Sequence, residues 1–339
     1  MAAIVLLCLS IVASADVFNL GEGFTNLETV TVGDPGNIGE LSGTEAYGRD
    51  RICGAVGYTY NIGKYEVTAK QYTDFLNNKA KTDIYGLYNS AMWGYSNGCK
   101  IQRSGNNGNF SYSVASDWAN RPVNYVSYWD ACRFTNWLCN GQGNGDTETG
   151  AYTLGNYIGY DGRTIKRNAG WTWAVTSEDE WYKAAYYKGG GTNAGYWDYP
   201  TKSDTYPNNQ VLSRDPGNSA NYIRTFYSIN SPYYRTNVGE FENSKSAYGT
   251  LDQGGNLWEW NESIAYTSLT YACYESRGGA FNSLADSLKA STRRWNPHYP
   301  NSDEANIGFR VVQVVPEPAS IIVLLGGFVG LFGIRRREV

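Results

Sequence analysis

The sequence predicts an α+β fold, arranged as one loop-rich domain with short strands and a few helices. Its 339 residues could bury a large core. Leucine, isoleucine and valine are sparse, whereas tyrosine (29), tryptophan (11) and glycine (39) are plentiful. This composition argues against a helical bundle and favours a core filled by aromatic rings. Neither an internal repeat nor an interior linker divides the chain.

Three helices are predicted from capping residues that stand before runs with helical periodicity. Thr68 and Ser127 each precede such a run, and Ser177 with Glu180 forms a capping box. The predicted helices cover 69–78, 129–139 and 178–188.

Strands are predicted where aromatic and β-branched residues lie between turn residues. The predicted strands cover 28–32, 57–67, 121–127, 257–261, 276–281 and 307–314, with a hairpin around 152–164. The stretch 79–115 and most of 192–250 are rich in Gly, Asn and Tyr, so both are predicted to be long ordered loops.

Charge excludes one class of partner. The formal net charge is −4 and no basic stripe is present. A nucleic-acid-binding protein needs clustered Lys and Arg to displace phosphate counterions, so no nucleic-acid partner is expected.

Both ends of the chain carry features of export. Residues 1–15 are predicted to be a signal peptide, because a short apolar run ends in Ala13-Ser14-Ala15, although no Lys or Arg precedes the run. At the other end, Pro316-Glu317-Pro318 leads into 14 apolar residues, 321–334, and then into three arginines. That apolar run is short for a membrane-spanning helix. Residues 16–27 are assigned to an N-terminal segment.

Five cysteines follow the predicted signal peptide: Cys53, Cys99, Cys132, Cys139 and Cys273. Cys132 and Cys139 are about 10 Å apart along one predicted helix, too far for a disulfide. The pairing of the others cannot be deduced from the sequence. No CxxC spacing occurs, so a thiolate metal site is not expected.

The stretch 248–261 concentrates two carboxylates, Asp252 and Glu259, with a Gly254-Gly255 pair and two tryptophans. Two interpretations remain open on these residues alone. One is a loop of oxygen ligands around a calcium ion, with glycine supplying the backbone freedom. The other is a glycine turn entering an aromatic strand.

Six short motifs follow one another in a fixed order along the chain. They are Gly63-Lys-Tyr-Glu-Val-Thr68, Arg121-Pro-Val-Asn-Tyr-Val-Ser127, Thr176-Ser-Glu-Asp-Glu-Trp181, Asp252-Gln-Gly-Gly-Asn-Leu-Trp-Glu-Trp260, Arg277-Gly-Gly-Ala-Phe281 and Asn306-Ile-Gly-Phe-Arg310. Through them, residues 28–314 resemble the formylglycine-generating enzyme (sulfatase-modifying factor) domain, a variant of the C-type-lectin-like fold. Residues 315–339 resemble the PEP-CTERM sorting signal of Gram-negative bacteria.

The resemblance implies a calcium site. Its ligands would be the side chains of Asp252 and Glu259 with the carbonyls of Gly255 and Leu257. A second site would use Asn221 and the carbonyl of Tyr222; its remaining ligands fall in 225–237, which does not align. Ca²⁺ is therefore the expected cofactor.

The resemblance also locates the positions of catalysis. Oxidising members carry two copper-binding thiols where this chain has Ser283 and Leu288. Cu(I) prefers soft thiolate ligands, so copper is not expected here. Related iron-dependent enzymes need several imidazoles, whereas His298 is the only histidine.

Two functions follow as hypotheses. The first is an exported, envelope-associated or extracellular domain, calcium-stabilised, that binds a glycan or peptide. Its candidate ligand-binding residues are Arg277, Phe281, Arg293, Arg294, Trp295 and Tyr299. The second is an oxidoreductase of the formylglycine-generating type that modifies a protein cysteine. The terminal signals add exosortase-type sorting machinery, and the membrane through 321–334, as expected partners.

Overall fold

A computed structural model describes residues 24–43, 50–294 and 297–315 of the chain. The predicted signal peptide, the apolar run 321–334 and Trp295 lie outside the described residues. Within the described ranges, no helix combines the length and hydrophobicity that a membrane span requires.

The described residues form eleven short strands, five α-helices and one 3₁₀ helix. The strands are β1 Thr29–Val32, β2 Glu40–Ser42, β3 Arg51–Cys53, β4 Tyr60–Gly63, β5 Ile101–Ser104, β6 Ser111–Val114, β7 Trp173–Val175, β8 Trp258–Thr267, β9 Ala272–Arg277, β10 Ile307–Phe309 and β11 Val311–Val314. The helices are α1 Ala69–Lys79, α2 Ala91–Gly94, α3 Ser116–Ala119, α4 Tyr128–Cys139 and α5 Glu178–Tyr186, and the 3₁₀ helix is Ala285–Leu288.

All three predicted helices are confirmed, and each begins at its predicted cap. At α1, the hydroxyl of Thr68 accepts from the Gln71 N–H, and the Gln71 side chain accepts from the Thr68 N–H. The same reciprocal pair forms at α4 and at α5, so two otherwise unpaired N–H groups are satisfied at each helix start.

Two sheets organise the domain, and the chain passes directly from one to the other. One sheet has the order β1-β4-β11-β7 and the other has the order β10-β8-β9. Phe309 ends β10, which pairs in parallel with β8, and Val311 begins β11, which pairs with β4 and β7. The prediction of one strand over 307–314 is therefore wrong, because Arg310 separates two strands of different sheets.

Aromatic rings fill the core, as the composition predicts. Five tryptophans are at most 2 % exposed, and Phe75 contacts Phe134 and Trp137 with ring centroids 5.4 and 5.3 Å apart. Helix α4 contributes much of this core, since all but one of its residues are buried.

Other elements differ from prediction. Neither a hairpin at 152–164 nor a strand at 121–127 forms, whereas β5 and β6 make a hairpin inside the predicted loop 79–115. Strand β9 ends four residues before its predicted end, because Gly278 and Gly279 adopt φ values of 99° and 76°. The hydrophobic pattern could not reveal this end, which depends on backbone conformation.

Candidate functional site

The turn before β8 is fixed by close contact between backbones. Asp252, Gly255 and Asn256 have φ values of 61°, 85° and 59°, in the left-handed region. A Cβ at Gly255 would clash with the Asn221 carbonyl oxygen, and that oxygen accepts from the Asn256 N–H at 2.7 Å. Only glycine fits this approach, so Gly255 serves backbone packing.

Glu259 projects from β8 into the interior and is held by three donors. Arg310 Nη2 donates to Oε1 at 2.7 Å, and Arg310 Nε donates to Oε2 at 2.8 Å. Trp181 Nε1 also donates to Oε2, at 2.7 Å. Both charged side chains have no exposed surface, so the pair is fully desolvated.

Two further carboxylates lie close to this pair. Glu66 accepts from Asn256 Nδ2 at 2.9 Å and from the Leu257 N–H at 3.1 Å. Burial and the neighbouring carboxylates of Glu259 and Asp252 raise the pKa of Glu66 well above its usual range. Asp252 accepts from the Gly239 N–H at 2.6 Å, and burial raises its pKa to about 6.

These contacts do not fit a calcium ion at Asp252 and Glu259. A cation beside Glu259 would stand against the Arg310 guanidinium in a buried site, where like charges repel strongly. Among the described residues, no group of three or more His, Cys, Asp or Glu side chains could hold a metal. Calcium binding by Asp252, Gly255, Leu257 and Glu259 thus stays a prediction of the resemblance.

The second expected calcium site is also engaged in protein contacts. The Tyr222 carbonyl accepts from Asn209 Nδ2 at 3.2 Å and from Ser228 Oγ at 3.1 Å. Asn221 Nδ2 donates to the Tyr234 carbonyl, while its buried Oδ1 has no partner among the described residues. One orphaned amide oxygen is not enough to hold a hard cation, which prefers several oxygen ligands.

Of the two positions to which the resemblance assigns thiols, one forms a turn and the other fills a core. Ser283 Oγ accepts from the Ala280 N–H at 3.0 Å, and the Ser283 N–H donates to the Ala280 carbonyl. Leu288 has no exposed surface and packs in a cluster with Tyr199, Ala220 and Tyr222. The position to which the resemblance assigns the second thiol is therefore filled by the protein's own apolar packing.

Most of the predicted ligand-binding residues are internal. Arg277 Nε donates to Glu178 Oε1 at 2.8 Å, and Arg293 Nε donates to the same oxygen at 2.9 Å. Burial alone would raise the pKa of Glu178, but Arg277, Arg293 and Arg51 together lower it. In this structure the two predicted arginines are thus committed to a buried carboxylate and do not face solvent.

Phe281 and Arg294 are also turned inward. Phe281 is 4 % exposed and contacts the rings of Tyr227 and Tyr234. Arg294 Nη2 donates to Glu304 at 3.1 Å, and its guanidinium lies over the Trp258 ring.

Tyr299, the remaining candidate, lines an open cavity of about 310 Å³ at the end of the β8–β9 hairpin. This volume lies at the lower end of the range for small-molecule sites. We call it the tyrosine cavity; its described lining residues are Tyr266, Tyr271, Cys273, Pro297, His298, Tyr299 and Ser302.

The rings of this cavity contact one another in series. Tyr160, beside the cavity, lies 6.0 Å from Tyr299, Tyr299 lies 5.0 Å from Tyr271, and Tyr271 lies 5.9 Å from Tyr266, measured between ring centroids. Tyr160, Tyr266 and Tyr299 are 56 %, 48 % and 42 % exposed. The sequence pattern had indicated only Tyr299, although Tyr266 and Tyr271 flank a short turn between aromatic strands.

One polar pair stands at the edge of the cavity. His298 Nδ1 lies 3.1 Å from Glu304 Oε1, and this hydrogen bond, with Arg294, holds the pKa of Glu304 below its usual value. The N–H at Nδ1 leaves Nε2 as an acceptor in the neutral ring, and Nε2 is buried without a hydrogen-bond partner among the described residues.

Comparisons with known proteins identify one family from the sequence and, separately, solved structures that share the fold. The family model of the sulfatase-modifying factor enzyme 1-like domain matches residues 54–315. The crystal structure of CarF is 18 % identical and covers 86 % of this chain and 99 % of its own, with a TM-score of 0.50. PvdO from Pseudomonas aeruginosa is 17 % identical and covers 89 % of this chain and 99 % of its own, also with a TM-score of 0.50. No curated protein sequence matches the chain.

Proposed function

Because the chain belongs to the sulfatase-modifying factor enzyme 1-like domain family, we propose that it is an exported, envelope-associated member that binds a glycan or peptide. In this proposal it does not generate formylglycine. The observation that carries this second part of the proposal is Leu288, to which the resemblance assigns the second thiol and which is fully buried in an apolar cluster.

The chemistry of the oxidising members needs two thiolates on one copper ion. Here Ser283 supplies a hydroxyl that is already hydrogen-bonded to a backbone N–H, and Leu288 supplies no donor atom at all. The nearest thiol in sequence, Cys273, lies in β9 before the glycine pair and borders the tyrosine cavity instead. These contacts favour binding over oxidation.

Incubation of the purified protein with Cu(I), oxygen and a Cys-x-Pro-x-Arg peptide tests this proposal. Mass spectrometry of the peptide should show no conversion of cysteine to an aldehyde. A Ser283→Cys/Leu288→Cys variant, measured beside it, reports whether the two thiols alone restore copper binding. Aldehyde formed by the natural protein would overturn the proposal.

Export rests on the terminal segments, which lie outside the described residues. The signal peptide 1–15 and the sorting signal 315–339 would send the domain across the inner membrane and hold it there through 321–334 until exosortase-type processing. Fractionation of a Gram-negative host should find the full chain in the envelope or outside the cell. A chain lacking 315–339 should move to the soluble periplasmic or secreted fraction; an unchanged distribution would refute the sorting role.

A further inference from the structure

The tyrosine cavity has the composition of a site for an uncharged ligand. None of its described lining residues is an Asp, Glu, Lys or Arg. His298 is the one described lining residue that can carry a positive charge, and its Nδ1 is already engaged by Glu304 Oε1 at 3.1 Å. A charged ligand would therefore lose hydration there without gaining a free counterion, which is unfavourable. Phosphate, sulfate and carboxylate ligands are therefore disfavoured, and so are charged peptide side chains.

The rings form walls and do not form a single flat platform. The planes of Tyr160 and Tyr299 cross at 60°, and those of Tyr271 and Tyr299 cross at 79°. Faces of neighbouring rings thus point in different directions around the opening. A tyrosine face packs well on the C–H surface of a ligand, while its hydroxyl can form hydrogen bonds.

Main-chain pairing with an added peptide strand is obstructed at this site. β9 is an edge strand, and its Tyr274 N–H already donates to the His298 carbonyl at 2.9 Å. At its first residue, Ala272 N–H donates to the Tyr160 carbonyl at 3.4 Å. Since extended peptides gain affinity largely by joining a free strand edge, the covered edge disfavours a peptide.

The hairpin that presents the rings is well ordered by its own contacts. Ser268 N–H donates to the Tyr271 carbonyl at 2.9 Å, and Ser268 Oγ accepts from the N–H groups of Thr270 and Tyr271. Tyr266 pairs with Cys273 across the two strands. Tyr266 and Tyr271 are therefore presented by a closed turn, which lowers the entropy cost of binding.

From these four features we propose that the tyrosine cavity is a binding site for a neutral saccharide. Sugar rings stack their C–H faces on Tyr266, Tyr271 and Tyr299, and Ser302 and the tyrosine hydroxyls bond the sugar hydroxyls. The proposal rests on the function proposed above, and it specifies both the site and the ligand class.

The test is titration of the purified protein, freed of its signal peptide, with uncharged hexasaccharides. Cellohexaose, laminarihexaose, maltohexaose, mannohexaose and chitohexaose are added in turn, and binding is followed by calorimetry. At least one should bind. Tyr266→Ala should weaken that binding about tenfold or more, because it removes one stacking face.

Two controls keep the result specific. Tyr95 is 62 % exposed, has a ring contact with Tyr125 and is not among the described residues that line the cavity, so Tyr95→Ala is a matched substitution that should leave binding unchanged. Tyr266→Phe keeps the stacking face and should retain most of the affinity. Thermal melts of each variant separate loss of binding from loss of folding.

The remaining outcomes would contradict the proposal in different ways. Saccharide binding that survives Tyr266→Ala and Tyr271→Ala would place the site elsewhere while leaving a binding function intact. Binding of an uncharged peptide in place of every hexasaccharide would replace the ligand class. Failure of all five saccharides would refute the saccharide site, whereas aldehyde formation in the copper assay would refute the proposed function itself.

Discussion

The guanidinium of Arg310 holds both carboxylate oxygens of Glu259 at the point where the chain passes from one sheet to the other. Arg310 also donates to the carbonyls of Gly63, at the end of β4, and Leu251, each at 2.8 Å. One side chain thereby joins β8 of one sheet, β4 of the other and the glycine turn. In this position Arg310 neutralises the buried carboxylate of Glu259.

We expect Glu259→Gln to destabilise the protein by about 3–5 kcal/mol, because it leaves the Arg310 charge buried without a counterion. We also expect EDTA to leave the melting temperature of the natural protein unchanged. Calorimetry with EDTA and with added CaCl₂ measures both effects. Glu28→Gln, which removes the surface pair with Lys64, is the control and should cost less than about 0.5 kcal/mol. A fall in melting temperature on chelation would restore the calcium interpretation.

Arg277→Met tests whether the predicted ligand residue is structural. Its guanidinium contacts Glu178, Ser42 Oγ and the carbonyls of Ala290 and Thr292, all in the interior. We expect a loss of about 3–5 kcal/mol in the free energy of unfolding, measured in urea.

The control for that variant is Arg163→Ala. Arg163 pairs with Asp161 at the surface and is 37 % exposed, so its loss should change stability by less than about 0.5 kcal/mol. If Arg277→Met is as stable as the natural protein yet loses ligand binding, Arg277 faces a ligand after all.

The sequence allowed the helices, the aromatic core and the family to be predicted, because these depend on local patterns. The capping residues Thr68, Ser127 and Ser177 each indicate a helix start, because their capping hydrogen bonds involve only residues close in sequence. The order of the six short motifs indicated the family, which the family model over residues 54–315 confirms.

The ion-pair partners of the charged residues could not be predicted from the sequence. From the sequence alone, Glu259 could be either a metal ligand or one member of an ion pair. Only the structure shows that Arg310, which is distant in the chain, lies beside it. Likewise, the sequence made Arg277 and Arg293 candidates for a pocket that binds an anionic ligand. In the structure, the carboxylate of Glu178 lies between them and pairs with both. The tyrosine cavity also joins residues from separate segments, which no local pattern reveals.

A pH-dependent prediction follows from Asp130 in the first turn of α4. Burial raises its pKa to about 7, although Ser127 donates to its carboxylate through both N–H and hydroxyl. The unfolded chain releases this proton near pH 4, so between about pH 4 and pH 7 the folded state binds more protons. The contribution of Asp130 to stability is thus full below about pH 4 and is lost as the pH rises to about 7.

Asp130→Asn should remove this contribution while keeping an oxygen that can accept from Ser127. The difference in unfolding free energy between the two proteins should change by about 1.4 kcal/mol per pH unit at most within that window, in favour of the variant as pH rises. Urea titrations at several pH values across that window measure the difference. A difference independent of pH would mean that Asp130 is ionised throughout.

Leu288→Ala and Ser283→Ala test separately the two positions to which the resemblance assigns copper-binding thiols. Leu288 is fully buried against Tyr199, Ala220 and Tyr222, so its truncation should leave a cavity and cost about 2–5 kcal/mol. Ser283→Ala removes the hydrogen bond that Ser283 Oγ accepts from the Ala280 N–H at a partly exposed turn, which should cost about 1 kcal/mol. Urea denaturation with an unchanged m-value measures both costs. Equal, small effects would mean that the space around Leu288 collapses freely and is not a packed core, and the inference that Leu288 excludes a copper site would lose its basis.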